Sequence, residues 1–116
     1  MATELRSTTA ETPCCDVPQT HIHLEPTESL GRAVAVFKAL SDETRLRLLK
    51  AIAGSGELCE CYAVPAFGLS QPTINYHLKV LREAGLVRSE RRGQWVYHRV
   101  DQRALLGAVR QLTEMG

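Results

Sequence analysis

Four cysteines carry the most distinctive chemistry in this 116-residue chain, and they come as two tight pairs, Cys14-Cys15 and Cys59-Glu60-Cys61. A thiolate is at once a nucleophile, a soft metal ligand and an oxidisable group. No apolar run near the N-terminus is long enough for a secretory signal, so the expectation is a cytoplasmic protein whose thiols are free. No stretch approaches the roughly 18 apolar residues of a membrane span, and no membrane partner is expected. A lone buried cysteine is usually a small apolar filler. Two close pairs, one of them on a polar tail with no core to fill, point to metal ligation by Cys59, Cys61, Cys14 and Cys15 instead. Three thiolates suit As(III) or Sb(III), which keep a lone pair and bind in a trigonal pyramid; four suit Cd(II), Pb(II) or Zn(II) in a tetrahedral shell. His21 and His23 share the tail with Cys14-Cys15 and read first as solvated, largely neutral side chains.

Residues 1–27 are rich in Thr, Glu and Pro, with Pro13, Pro18 and Pro26 set against regular structure, and read as a flexible arm. Residues 28–116 are left as one domain. From about Ser29 to Lys38 or Ala39, Leu30, Ala33, Val34 and Phe37 recur at helical spacing. Ser41 is the expected N-cap of a second helix, with Asp42 and Glu43 in its first turn and Leu46, Leu48, Leu49 and Ile52 as its apolar side. Gly54 and Gly56 end it. A short helix is expected from Leu58 to Ala66. Its positive N-terminal end would lower the pKa of Cys59 and Cys61 and ionise both. Side chains two apart on an ideal helix do not share a face, so gripping one ion with both should distort the helix start.

Phe67-Gly68-Leu69 reads as a tight turn, Ser70 as the cap of the next helix and Pro72 as a first-turn residue whose missing amide costs little. Ile74, Leu78 and Leu81 give that helix a buried side, and Gly85 stops it. Two helices joined by a short glycine turn form a helix-turn-helix. With the apolar side turned inward, Ser70, Gln71, Thr73, Asn75, Tyr76, His77 and Lys79 are left to meet DNA, where Gln and Asn can pair bidentately with adenine. His77 reads as a packing or phosphate contact. Leu86 to Val100 follows as a hairpin rich in Val, Trp and Tyr around Arg91-Arg92-Gly93-Gln94, a cationic tip in which Arg91, Arg92 and Gln94 could grip backbone or minor groove. His98 within it reads as structural. Asp101 caps a last helix marked by Leu105, Leu106, Val109, Leu112 and Met115.

Three blocks in order, Ala39-Leu-Ser-Asp-Glu-Thr-Arg-Leu-Arg-Leu-Leu49, Leu69-Ser-Gln-Pro-Thr-Ile-Asn-Tyr-His-Leu-Lys-Val-Leu-Arg-Glu-Ala-Gly-Leu-Val87 and Arg91-Arg-Gly-Gln-Trp-Val-Tyr97, resemble the ArsR/SmtB family of bacterial metal-responsive repressors. The resemblance covers about residues 29 to 115. It implies a mainly α fold with a β-hairpin wing: a winged helix-turn-helix of four helices, two strands and a fifth helix. It also implies a homodimer formed through the first and last helices, and repression of operator DNA relieved by an inducer. Cys59-Glu60-Cys61 matches the Cys-x-Cys on the third helix of the family's arsenic and cadmium sensors. The sequence is similar above all to the arsenical branch, which implies As(III) or Sb(III) as inducer, with Cd(II) or Pb(II) as the alternative and no permanent cofactor. The chain departs from many arsenical relatives in having Tyr62, not Asp, after the second cysteine. The family's Zn(II) site on the last helix is not expected, because residues 101–116 contain no His.

The net charge of +1 does not announce nucleic acid, but its distribution does. Residues 1–30 set Arg6 against Glu4, Glu11, Asp16, Glu25 and Glu28. Residues 79–99 set Lys79, Arg82, Arg88, Arg91, Arg92 and Arg99 against Glu83 and Glu90 alone, which suits phosphate. An enzyme would need Cys59 or Cys15 as nucleophile beside a His base, and a helix-turn-helix of this size leaves no evident pocket, so none is expected. The remaining rivals are a repressor switched by thiol oxidation instead of by an ion, and an interaction module that does not bind DNA.

Overall fold

The computed structural model describes Ile22, Leu24 and residues 26–114. Cys14, Cys15, His21, His23, Met115 and most of the expected arm lie outside the described residues. The first helix, α1 (Thr27–Leu40), buries Ala33, Val36 and Ala39, while Val34 and Phe37 stay 46% and 38% exposed. The inward face therefore differs from the expected one. Small side chains are what the packing needs: α1 lies against the last helix, α5 (Gln102–Thr113), whose Ala104 and Ala108 meet the core, and alanines on both sides let two helices approach closely.

Only Ser41 and Asp42 separate α1 from α2 (Glu43–Ser55), and the two residues divide the capping between them. The Ser41 hydroxyl donates to the Lys38 carbonyl at 2.7 Å and closes α1, whereas the Asp42 carboxylate accepts from the Arg45 amide at 3.1 Å and opens α2. The N-cap is thus Asp42, one residue later than the sequence suggested. Leu48, Leu49 and Ile52 are buried on one arc of α2; Leu46 falls off that arc and is 43% exposed.

The expected helix from Leu58 is a second correction. Leu58–Cys59 is a two-residue strand, β1, and the helix α3 (Glu60–Phe67) begins only after it. Leu58 pairs with His98 and Cys59 with Tyr97, so the segment is drawn out of helix by the free edge of the wing strand β3 (Trp95–Val100). β3 also pairs with β2 (Val87–Arg92), giving an antiparallel sheet in the order β1–β3–β2. The β2–β3 turn is the two residues Gly93-Gln94, with Gly93 at φ 64°, a conformation that favours glycine.

Gly68, at φ 67° and ψ 27°, ends α3, its amide bonded to the Val64 carbonyl, and turns the chain into α4 (Gln71–Glu83). Ser70 caps α4 by accepting from the Thr73 amide, and Asp101 caps α5 by accepting from the Arg103 amide. One core joins α1, α2, α3, α4, Leu86, Val87 and α5. The described residues form a mainly α winged helix-turn-helix of five helices and three strands. Val34 and Phe37 on α1 and Leu106, Val109 and Leu112 on α5 remain exposed apolar side chains. No helix among the described residues is long and apolar enough to cross a membrane.

Candidate thiol site and nucleic-acid interface

Cys59 ends β1 and stands at the N-cap of α3 in an extended conformation, 3% exposed; Cys61 lies in the first turn and is exposed. That bend at residue 59 removes the obstacle foreseen from ideal helix geometry. The Cys61 thiol donates to the Cys59 sulfur at 2.8 Å, so the two sulfurs already face one another and no helical turn has to be broken to bring them together. The shared hydrogen bond, burial and the neighbouring Cys59 charge push the Cys61 thiol above its ordinary range. For Cys61 the shift is opposite to the lowered thiol pKa expected from the helix start. Tyr62, next in α3, is 69% exposed. No group of three or more Cys, His, Asp or Glu converges to hold a metal among the described residues.

α3 is a yielding mount for this pair. It has no side-chain cap, and Pro65 has no amide hydrogen to offer the Cys61 carbonyl four residues back. α4 is firmly seated, with Ile74, Leu78 and Leu81 at 0–2% exposure. Gln71, Asn75, Tyr76 and Lys79 are exposed along it; Ser70 and Thr73 are joined hydroxyl to hydroxyl at 2.9 Å and spend part of their capacity on the helix start. His77 is half-buried, its Nδ1 3.3 Å from Arg45 Nη1 and its ring edge-on to Tyr76, so it braces α4 against α2.

On the wing, Arg91 and Gln94 are exposed, but Arg92 is spoken for. Its guanidinium binds the Glu57 carboxylate, reaches Glu90 at 3.0 Å and stacks 4.5 Å from the centre of the Tyr97 ring. Arg92 holds the Glu57 carboxyl below its ordinary range in turn. No local pattern signals this contact, because Glu57 and Arg92 meet only once β1 has joined β3. It links the wing to the residue just ahead of the thiol strand. The Asp101 carboxylate is likewise occupied, accepting from Arg88 at 2.9 Å as well as from the Arg103 amide. His98 is the one buried polar side chain of the described core, with Ser89 on its Nδ1 at 2.8 Å. Burial and then Arg82 keep its ring below the usual imidazole range.

Residues 42–89, from the cap of α2 into β2, match the family described as bacterial regulatory protein, arsR family. An uncharacterized HTH-type transcriptional regulator of Methanocaldococcus jannaschii is 40% identical over 77 residues, covering 66% of this chain and 86% of that protein. The chain belongs to the arsR family. The matched span of this arsR-family chain contains Cys59, Cys61 and all of α4. The arsenic resistance transcriptional regulator ArsR1 of Pseudomonas putida is 54% identical over 65 residues, which are 56% of this chain and 51% of that protein. The chain thus spans about half the length of that relative. The crystal structure of the antimony-specific transcriptional repressor AntR superposes with a TM-score of 0.63 at 30% identity, over 89% of this chain and 95% of that one. The family and these relatives are named for transcriptional regulation, which agrees with the expectation of a regulator, not an enzyme.

Proposed function

We propose that this arsR-family protein is a repressor that binds operator DNA as a dimer and lets go when As(III) or Sb(III) is taken by the thiolates of Cys59 and Cys61, with Cys14 and Cys15 supplying the remaining donors. The observation that carries the reading is the 2.8 Å approach of the two sulfurs at the joint between β1 and α3. Two ligands to one ion sit further apart than that: metal–sulfur bonds of about 2.3 Å put the sulfurs roughly 3.3–3.8 Å apart, the lower figure for a pyramidal ion and the upper for a tetrahedral one. Ligation would displace the shared proton and spread the joint by roughly 0.5–1 Å. One sulfur rides on a strand paired to the wing and the other on the helix packed against α4. Spreading them would shift the wing against the recognition helix, and a ligand that favours the spread state weakens DNA binding by the factor by which DNA weakens it.

The names of the arsenic resistance regulator ArsR1 and of the antimony-specific repressor AntR favour a metalloid over Cd(II) or Pb(II). The exposed apolar faces of α1 and α5 suit a dimer, which would set two α4 helices about 34–36 Å apart on DNA. Gel shift under strong reductant tests the switch. Micromolar arsenite should release the operator, and Cys59→Ser or Cys61→Ser should keep DNA binding and lose the response. Full release of the double variant by arsenite would defeat the reading. The same sulfur approach favours one rival, a disulfide switch; release by peroxide alone, with arsenite inert, would establish it.

A further inference from the structure

A groove of about 520 Å³ between α4 and the wing is not used by the thiol site. Lys79 and Arg82 reach it from α4 and Arg91 from β2, against the single carboxylate of Glu60. None of these three cations has a carboxylate within salt-bridge distance among the described residues. His98 lies at the base of the groove, 2% exposed, its Nδ1 engaged by Ser89 and its Nε2 buried without a hydrogen-bond partner. When the Ser89 hydroxyl donates to Nδ1, the neutral ring carries its proton on Nε2 and needs an acceptor. Lys79, Arg82 and Arg91 only donate. In that tautomer three cations without a carboxylate partner and an unsatisfied ring N–H border one groove, and an anion with several acceptor oxygens would serve them all.

We infer that this groove binds one tetrahedral oxyanion of phosphate type, clamped by Lys79, Arg82 and Arg91 over His98. Asn75, which also lines it, supplies a neutral donor. A phosphodiester of bound DNA and free inorganic phosphate share this chemistry. Only the first source rests on the DNA-binding reading given above.

The test follows the His98 ring-nitrogen resonances of the full chain by NMR while inorganic phosphate, and separately a short random-sequence duplex, is added at ionic strength fixed with chloride. The Nε2 resonance should move saturably. Arg82 is exposed, so Arg82→Ala should leave the fold intact while abolishing that movement, weakening duplex binding about tenfold and lowering its salt slope by about one. Glu60→Gln, which removes the opposing charge, should tighten phosphate. Movement with both ligands supports a site open to free phosphate, and movement with duplex alone supports a backbone clamp. Movement with phosphate in a protein that binds no duplex sustains the oxyanion site and removes the DNA reading. No movement with either ligand, or the same movement in Arg82→Ala, overturns the inference.

Discussion

The two helices of the helix-turn-helix are built on opposite terms. α4 is capped by Ser70 and drives Ile74, Leu78 and Leu81 into the core; α3 starts without a side-chain cap, contains Pro65 and fully buries only Ala63. The helix that would read DNA is fixed by a cap and three buried side chains, and the helix that carries a candidate ligand has no side-chain cap and one. Rigidity belongs where register on a duplex must be kept, and compliance where a small shift has to be generated.

Substitutions on either helix test this contrast. Leu81→Ala should have the largest effect, costing about 2–5 kcal/mol in urea unfolding and taking operator binding with it, since a fully buried side chain leaves a cavity under α4. Ser70→Ala should cost about 1 kcal/mol through the lost cap, detected in the same unfolding curves. Pro65→Ala works on the yielding side. By restoring a donor to the Cys61 carbonyl it should stabilise α3 locally by up to about 1 kcal/mol, read as roughly fivefold slower amide exchange there, and raise the arsenite needed for release. Unchanged exchange would mean that α3 is as firmly held as α4. Arg92→Ala should change stability least, barely moving the urea midpoint, because its ion pairs are partly exposed. A larger loss would place rigidity in the wing as well.

Most of the architecture was legible in the sequence because it follows from local rules. Gly68, Ser70 and Asp101 have the roles their residue types dictate, and the Leu and Ile spacing of α4 leaves one solution for its inner face. The misreadings occurred where partners distant in sequence decide. Cys59 is extended because Tyr97 offers a strand edge, and Arg92 is occupied because Glu57 is brought alongside by that pairing. Val34 and Phe37 are exposed because α5 demands alanines instead. Local propensity also placed both cysteines on a helix, which hid how close their sulfurs come.

The shared hydrogen bond of Cys59 and Cys61 has a kinetic consequence. Once one sulfur has captured an ion, the second is already alongside, so chelation would follow first capture without a conformational search. The pace of response would then be set by loss of the shared proton and by the arrival of the next donor, and sparing that search is what would let so small a protein answer quickly to a dilute ion.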